Sequence, residues 1–86
     1  MPQVAFVSSE ISHGGFVVQG SPNVTANGLA VSRMGDQVIC DLHGSTEISG
    51  GSATVFANGK PVARVGDPVL CGAHITTGSP NVFAGG

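Results

Sequence analysis

The chain has 86 residues, enough for one small domain, and charged residues make up only 9% of it, against about 25% in an ordinary soluble domain. Its net charge is −2 with histidine neutral, and three basic residues are too few to follow a nucleic-acid backbone, which excludes that class of partner. The first residues lack the basic start and long apolar run of a Sec signal peptide, and no segment reaches the ~20 apolar residues of a membrane span.

The first complete element of the chain is a unit over residues 20–43, "GSPNVTANGLAVSRMGDQVICDLH". Asn27-Gly28 stands between short alternating apolar runs, which is typical of a type I′ hairpin. The rising strand is predicted at residues 24–26 and the returning strand at residues 31–33. Gly35-Asp36 then indicates a second turn. The unit therefore predicts short β-hairpins.

The same unit returns at residues 51–74, "GSATVFANGKPVARVGDPVLCGAH", without a gap and with 13 of 24 positions identical. A third copy starts as "GSPNV" at residues 78–82, and "HGGFVVQ" at residues 13–19 resembles the end of a copy. Partial units are thus expected at both ends of a single domain over residues 1–86, giving an all-β fold with loose three-fold order. In each full unit an arginine and an aspartate three residues later flank a turn and are expected to pin it; the pairs are Arg33 with Asp36 and Arg64 with Asp67.

Each cysteine precedes a histidine by three residues, and imidazole and thiolate are preferred zinc ligands. Spacing alone favours a site of Cys40, His43, Cys71 and His74. The repeat favours another set, because a histidine precedes each "GS", and equivalent histidines would converge on a three-fold axis. That set has three imidazoles, from His13, His43 and His74, and one thiolate.

Two other interpretations of the cysteines remain open. The two cysteines could form a Cys40–Cys71 disulfide, or each could be a small buried apolar residue of the core. A cysteine–histidine nucleophile pair would need a cleft and an oxyanion donor set, for which a hairpin domain has little room. Glu10 or Glu47 would be the candidate general base beside an open zinc ion.

Several short motifs together resemble the PAAR-repeat family, named for Pro-Ala-Ala-Arg. The motif stands here as residues 60–64, "KPVAR", and more weakly as residues 29–33, "LAVSR", while "SHGG" at residues 12–15 resembles the family's N-terminal histidine motif. The resemblance covers almost the whole chain. It implies a cone of β-hairpins with pseudo-three-fold repeats and a structural zinc ion near the vertex. It also implies a three-histidine, one-cysteine ligand set, which carries over to His13, His43, His74 and Cys71, with Cys40 as the alternative fourth ligand.

The resemblance implies a non-enzymatic protein that caps a trimeric β-helical spike, one tip per trimer, and sharpens it for membrane piercing. The spike would be the valine-glycine-repeat spike of type VI secretion or the central spike of a contractile phage tail. The tip would assemble in the bacterial cytoplasm, be secreted or become part of a virion, and touch the target membrane transiently. Phe56, Val82 and Phe83 are candidates for the spike contact. The alternative is a free-standing zinc protein, either a carrier or a zinc-dependent hydrolase.

Overall fold

The computed structural model describes residues 2–85, and this part of the chain is all-β, as predicted, with no helix that could span a membrane. It measures 29 × 23 × 22 Å along its principal axes. The seven short strands are β1 (Gly15–Val17), β2 (Thr25–Ala26), β3 (Leu29–Ala30), β4 (Gln37–Cys40), β5 (Gly44–Glu47), β6 (Phe56–Ala57) and β7 (Lys60–Pro61).

The two Asn-Gly turns form where the sequence predicts them, but the returning strands begin two residues earlier than predicted, at Leu29 and Lys60, because a two-residue turn leads directly into the paired strand. Strand β2 pairs with β3 and β6 pairs with β7, both antiparallel. The turn residues Asn27 and Asn58 have φ values of 54° and 55°, and the glycines after them also have positive φ. Two successive residues with positive φ define the type I′ turn, whose twist matches that of the flanking strands.

A third hairpin of the same kind is divided between the two ends of the chain. The amide of Val4 donates to the carbonyl of Val82 at 2.9 Å, and that of Ala84 donates to the carbonyl of Pro2 at 3.0 Å. The two Asn-Gly hairpins contain the equivalent bond. In them, the amide of Val31 donates to the carbonyl of Val24, and that of Val62 donates to the carbonyl of Val55. The N-terminal segment therefore supplies the returning strand that the C-terminal unit lacks.

The three units meet in a closed ring of backbone hydrogen bonds. The amide of Ala5 donates to the carbonyl of Ala63, the amide of Ala63 to that of Ser32, and the amide of Ser32 to that of Ala5, at 2.9 to 3.0 Å. All three residues are fully buried. Because each unit donates to one neighbour and accepts from the other, the ring gives a single chain approximate three-fold symmetry.

Ser32 leaves its hydroxyl buried without a hydrogen-bond partner in this ring, where the equivalent residues are alanines. An unsatisfied buried polar group destabilises a fold by about 1–3 kcal/mol. We therefore expect Ser32→Ala to raise the free energy of unfolding by about 1 kcal/mol, measured by urea denaturation. Ala63→Ser should lower it at the equivalent position. A stability loss in Ser32→Ala would contradict this explanation.

Two clusters of buried side chains form the core. The smaller cluster lies under the hairpins and contains Val4, Ala26, Val31, Ala57, Val62 and Ala84. The larger cluster lies under the sheet β1-β4-β5 and contains Ala5, Ile11, Val17, Val38, Cys40, Ile48, Ala63, Val69, Ala73 and Ile75, with Val65 and Cys71 packed against it. Both cysteines therefore belong to the larger cluster.

The two arginine–aspartate pairs pin turns, as predicted. The Arg33 guanidinium donates to both carboxylate oxygens of Asp36, at 2.8 and 2.9 Å, and the Arg33 amide donates to the same carboxylate at 2.7 Å. Arg64 makes the equivalent bonds to Asp67. In the N-terminal unit the turn is uncharged, and the amide of Phe6 donates to the hydroxyl of Ser9 at 3.0 Å.

Candidate metal centre

The turns that lead to the metal centre have the same backbone hydrogen bonds in all three units. Ser9, Asp36 and Asp67 occupy one equivalent position, because each amide donates to the carbonyl three residues earlier. Their carbonyls in turn accept from the amides of Val17, Ile48 and Ile75, at 2.9 to 3.1 Å. Four residues after these turn residues stand His13, Cys40 and Cys71. The fold therefore places one imidazole and two thiols at equivalent positions of the three units.

A fourth donor joins this position from a longer loop in the middle unit. In that unit Cys40 and the next core isoleucine, Ile48, are eight positions apart, whereas Cys71 and Ile75 are four apart. The extra residues extend the β4–β5 hairpin, in which Cys40 pairs with Gly44. His43 lies in the turn of this hairpin, and its amide donates to the carbonyl of Cys40 at 3.2 Å.

The ligand atoms of His13, Cys40, His43 and Cys71 all lie within 4.8 Å of one another. The Cys40 sulfur is 3.5 Å from Nδ1 of His43 and 3.8 Å from Nδ1 of His13. The Cys71 sulfur is also 3.8 Å from Nδ1 of His13. The two imidazole rings are 5.5 Å apart, centre to centre.

Glycine allows His13 to approach Cys40 so closely. Strand β1 pairs with β4 so that Gly15 stands opposite Cys40. A Cβ atom at Gly15 would lie 2.0 Å from the carbonyl oxygen of Ile39, and the residue has a φ of 105°. Any side chain at this position would push the segment that carries His13 away from β4.

The environment of the cysteines favours a thiolate at one of them. Burial acts to raise the pKa of Cys40, but hydrogen bonds with His43, Cys71, the Leu42 amide and His13 outweigh it and lower the pKa to about 6. Burial raises the pKa of Cys71, and its contact with Cys40 adds to the rise. A thiolate beside neutral imidazoles is the protonation state that a metal ion requires of its ligands.

The three sulfur–nitrogen distances measured in this group fit a tetrahedral zinc ion. With bonds of about 2.3 Å to sulfur and 2.0–2.1 Å to nitrogen, the sulfur and nitrogen atoms of a tetrahedral site are separated by about 3.5 Å. The observed distances from Cys40 Sγ to the histidine nitrogens, 3.5 and 3.8 Å, match this separation. Two thiols and two imidazoles also form one of the common structural zinc donor sets.

The structure places His74 outside this group. His74 pairs with Pro68, as Phe16 pairs with Glu10, so its backbone position corresponds to a phenylalanine in the first unit. Its side chain is exposed, and its amide donates to the hydroxyl of Ser12 at 3.1 Å. Of the ligands that the sequence predicts, the structure brings together His13, His43 and Cys71, and it adds Cys40, the predicted alternative. The set that binds metal stays a prediction.

The backbone conformation of the N-terminal unit shows that His13 is equivalent to the two cysteines. Ser8 has a φ of 83°, close to the 92° of Gly35 and the 94° of Gly66. When Ser8-Ser9 is aligned with the two Gly-Asp turns, His13 therefore takes the same alignment position as Cys40 and Cys71. Counting back from each "GS" instead aligns the histidines, and the four extra residues of the β4–β5 hairpin make that count misleading.

Comparison with known protein families gives a match that covers most of the chain. The sequence model of the PAAR motif family matches residues 8–77. All four grouped donors and both turn ion pairs lie inside the matched segment. Comparison with curated protein sequences gives no significant match.

Proposed function

The chain belongs to the PAAR motif family, a family of structural spike-tip proteins, and on that basis we propose that it caps the trimeric spike of a contractile injection machine. The spike is of the valine-glycine-repeat type of type VI secretion or the central spike of a contractile phage tail. The observation that supports this role best is the closed ring of Ala5, Ser32 and Ala63. Through it, a single chain presents nearly the same surface three times, which is what the end of a trimer requires.

The surface that would meet the spike, which we call the hairpin face, lies over the smaller core cluster and consists of Val24, Thr25, Val55, Phe56, Val82 and Phe83. Its three valines occupy equivalent positions and are 39%, 39% and 38% exposed. Phe56 and Phe83 are 56% and 46% exposed, and Thr25 occupies the position equivalent to theirs in the remaining unit. Apolar side chains left open in three equivalent places are typical of a surface that a partner covers.

The short hairpin strands would continue the strands of the spike. Each consists of two residues. The open edges are those of β2 and β6, because on β3 and β7 the carbonyls of Ala30 and Pro61 already accept from the amides of Val7 and Met34. Unpaired strand edges are normally covered, and the terminal strands of a trimeric β-helix would cover them here, one spike chain to each unit. One tip therefore binds each trimer.

Of the donors in the metal centre, Cys40 lies in the larger core cluster and Cys71 packs against it, whereas the hairpin face lies over the smaller cluster. We assign it zinc, with His13, Cys40, His43 and Cys71 as ligands. Four protein ligands fill a tetrahedral zinc site, and an open position is what a catalytic site needs. The centre is thus structural: it ties the loops of three units together where the tip narrows and meets the target membrane.

Binding to a purified trimeric spike from the same locus tests this function. Native mass spectrometry should show one chain per three spike chains. The double variant Phe56→Ser/Phe83→Ser should weaken binding at least tenfold, because it removes two exposed aromatic anchors from the hairpin face. Phe16→Ser is the matched control, since Phe16 is 49% exposed and lies in β1, outside that face. Three tips per trimer, or equal loss in the control, would contradict the proposal.

A further inference from the structure

Cys40 and Cys71 are both free thiols, and their sulfurs belong to one group of atoms within 4.8 Å. They occupy the same position in two adjacent units and lie 31 residues apart in the sequence. Their exposure differs: Cys40 is 1% exposed, whereas Cys71 is partly open to solvent. The pair therefore combines a partly exposed cysteine with a buried one beside it.

We propose that Cys40 and Cys71 form an oxidation site, at which a peroxide converts the two thiolates into an intramolecular disulfide and the metal ion leaves. Metal release rests on the metal centre proposed above, whereas the disulfide needs only the two cysteines. The product is a second folded form of the tip, in which a covalent bond joins the middle and C-terminal units where the metal joined them before.

The reaction balances with hydrogen peroxide as the oxidant. Cys71, the more exposed of the two cysteines, reacts as the thiolate that metal binding requires of it: its sulfur attacks one peroxide oxygen, the O–O bond breaks, and hydroxide leaves, so that Cys71 becomes a sulfenic acid. The sulfur of Cys40 then attacks the Cys71 sulfur, the S–O bond breaks, and a second hydroxide leaves. The two sulfurs lose two electrons in total and the peroxide gains them. Two protons from solvent convert the hydroxides into water.

Loss of both thiolates removes the negative charge that holds a divalent ion at the site. Two imidazoles remain, His13 and His43, and they are too few for a closed zinc site. The backbone around them does not depend on the metal alone. The His13 segment is also held by the bridge between Ile11 and Ile75 and by the amide of Ser12, which donates to the carbonyl of His74 at 2.9 Å.

The test treats the zinc-loaded chain with hydrogen peroxide and follows zinc release with a metallochromic indicator, free thiols with Ellman's reagent, and intact mass. We expect the chain to lose the mass of two hydrogen atoms and remain a monomer, with one zinc ion released per disulfide. Peptide mapping should show a bond between Cys40 and Cys71. Dithiothreitol and zinc should restore the starting form. Addition of oxygen atoms to the cysteines without a disulfide, or a disulfide between two chains, would overturn the proposal.

Two variants separate this proposal from that of the metal centre. His43→Ala keeps both thiols and is expected to bind no zinc, yet peroxide should still form the disulfide. Cys40→Ser should give a stable sulfenic acid at Cys71, detected by dimedone, and no internal disulfide. Absence of zinc from the untreated wild-type chain contradicts the metal centre. Absence of the disulfide from the peroxide-treated, chelator-stripped wild-type chain contradicts the oxidation site.

Discussion

Replacement of His43 by alanine is expected to lower the zinc content of the purified chain from one ion to nearly none. His43 supplies the fourth donor of the group, beside His13, Cys40 and Cys71. Its Nδ1 lies 3.5 Å from the Cys40 sulfur. Without it, three donors remain, and the site opens to water. Structural zinc sites depend on a complete set of four ligands, so zinc affinity should fall by several orders of magnitude. Inductively coupled plasma mass spectrometry of the dialysed protein measures the zinc content.

The matched control is His74→Ala. It removes an imidazole from a second Cys-x-x-His motif, but this histidine is exposed and lies outside the donor group. The control should therefore keep its zinc. Loss of zinc from His74→Ala with retention in His43→Ala would show that the loop around His74 rearranges to bind the metal.

Removal of zinc by a chelator should cost the chain most of its stability. Structural zinc contributes about 10–16 kcal/mol in small domains at neutral pH, whereas a single small core rarely supplies more than roughly 3–5 kcal/mol. A loss of even 5 kcal/mol lowers the Tm of a domain of this size by about 20–40 °C. Differential scanning calorimetry with and without EDTA measures the change.

His43→Ala provides the control for this experiment, because EDTA should not change the Tm of a chain that holds no zinc. Its Tm should match that of the EDTA-treated wild-type chain and should not respond to the chelator. A wild-type chain whose Tm stays the same in EDTA would show that the two core clusters and the central ring suffice, and that zinc is not structural.

Local features of the fold could be predicted from the sequence because local chemistry determines them. Asn27-Gly28 favours the type I′ turn by itself, and Asp36 lies within reach of the Arg33 amide in any turn of that length. The pairing of the chain ends is different. It depends on Val4 meeting Val82 across almost the whole chain, and no nearby residue indicates that contact.

The donor group shows where repeat reasoning is limited. Sequence identity aligns the cysteines of the two full units, but it cannot align a unit that has lost its Gly-Asp turn and carries His13 in place of a cysteine. The hydrogen bonds of Ser9 reveal that alignment, because they repeat those of Asp36. The inserted turn that carries His43 has no counterpart in the other units, so only the folded β4–β5 hairpin shows where this imidazole lies.

X-ray absorption spectroscopy at the zinc edge tests the ligand assignment most directly. The structure predicts two sulfur atoms at about 2.3 Å and two imidazole nitrogens at about 2.0–2.1 Å, from Cys40, Cys71, His13 and His43. The spectrum should be the same in His74→Ala, because that variant keeps all four donors of the group. One sulfur and three nitrogens in the wild-type chain would instead support the set of His13, His43, His74 and Cys71. Three protein ligands and a water oxygen would contradict a closed structural centre.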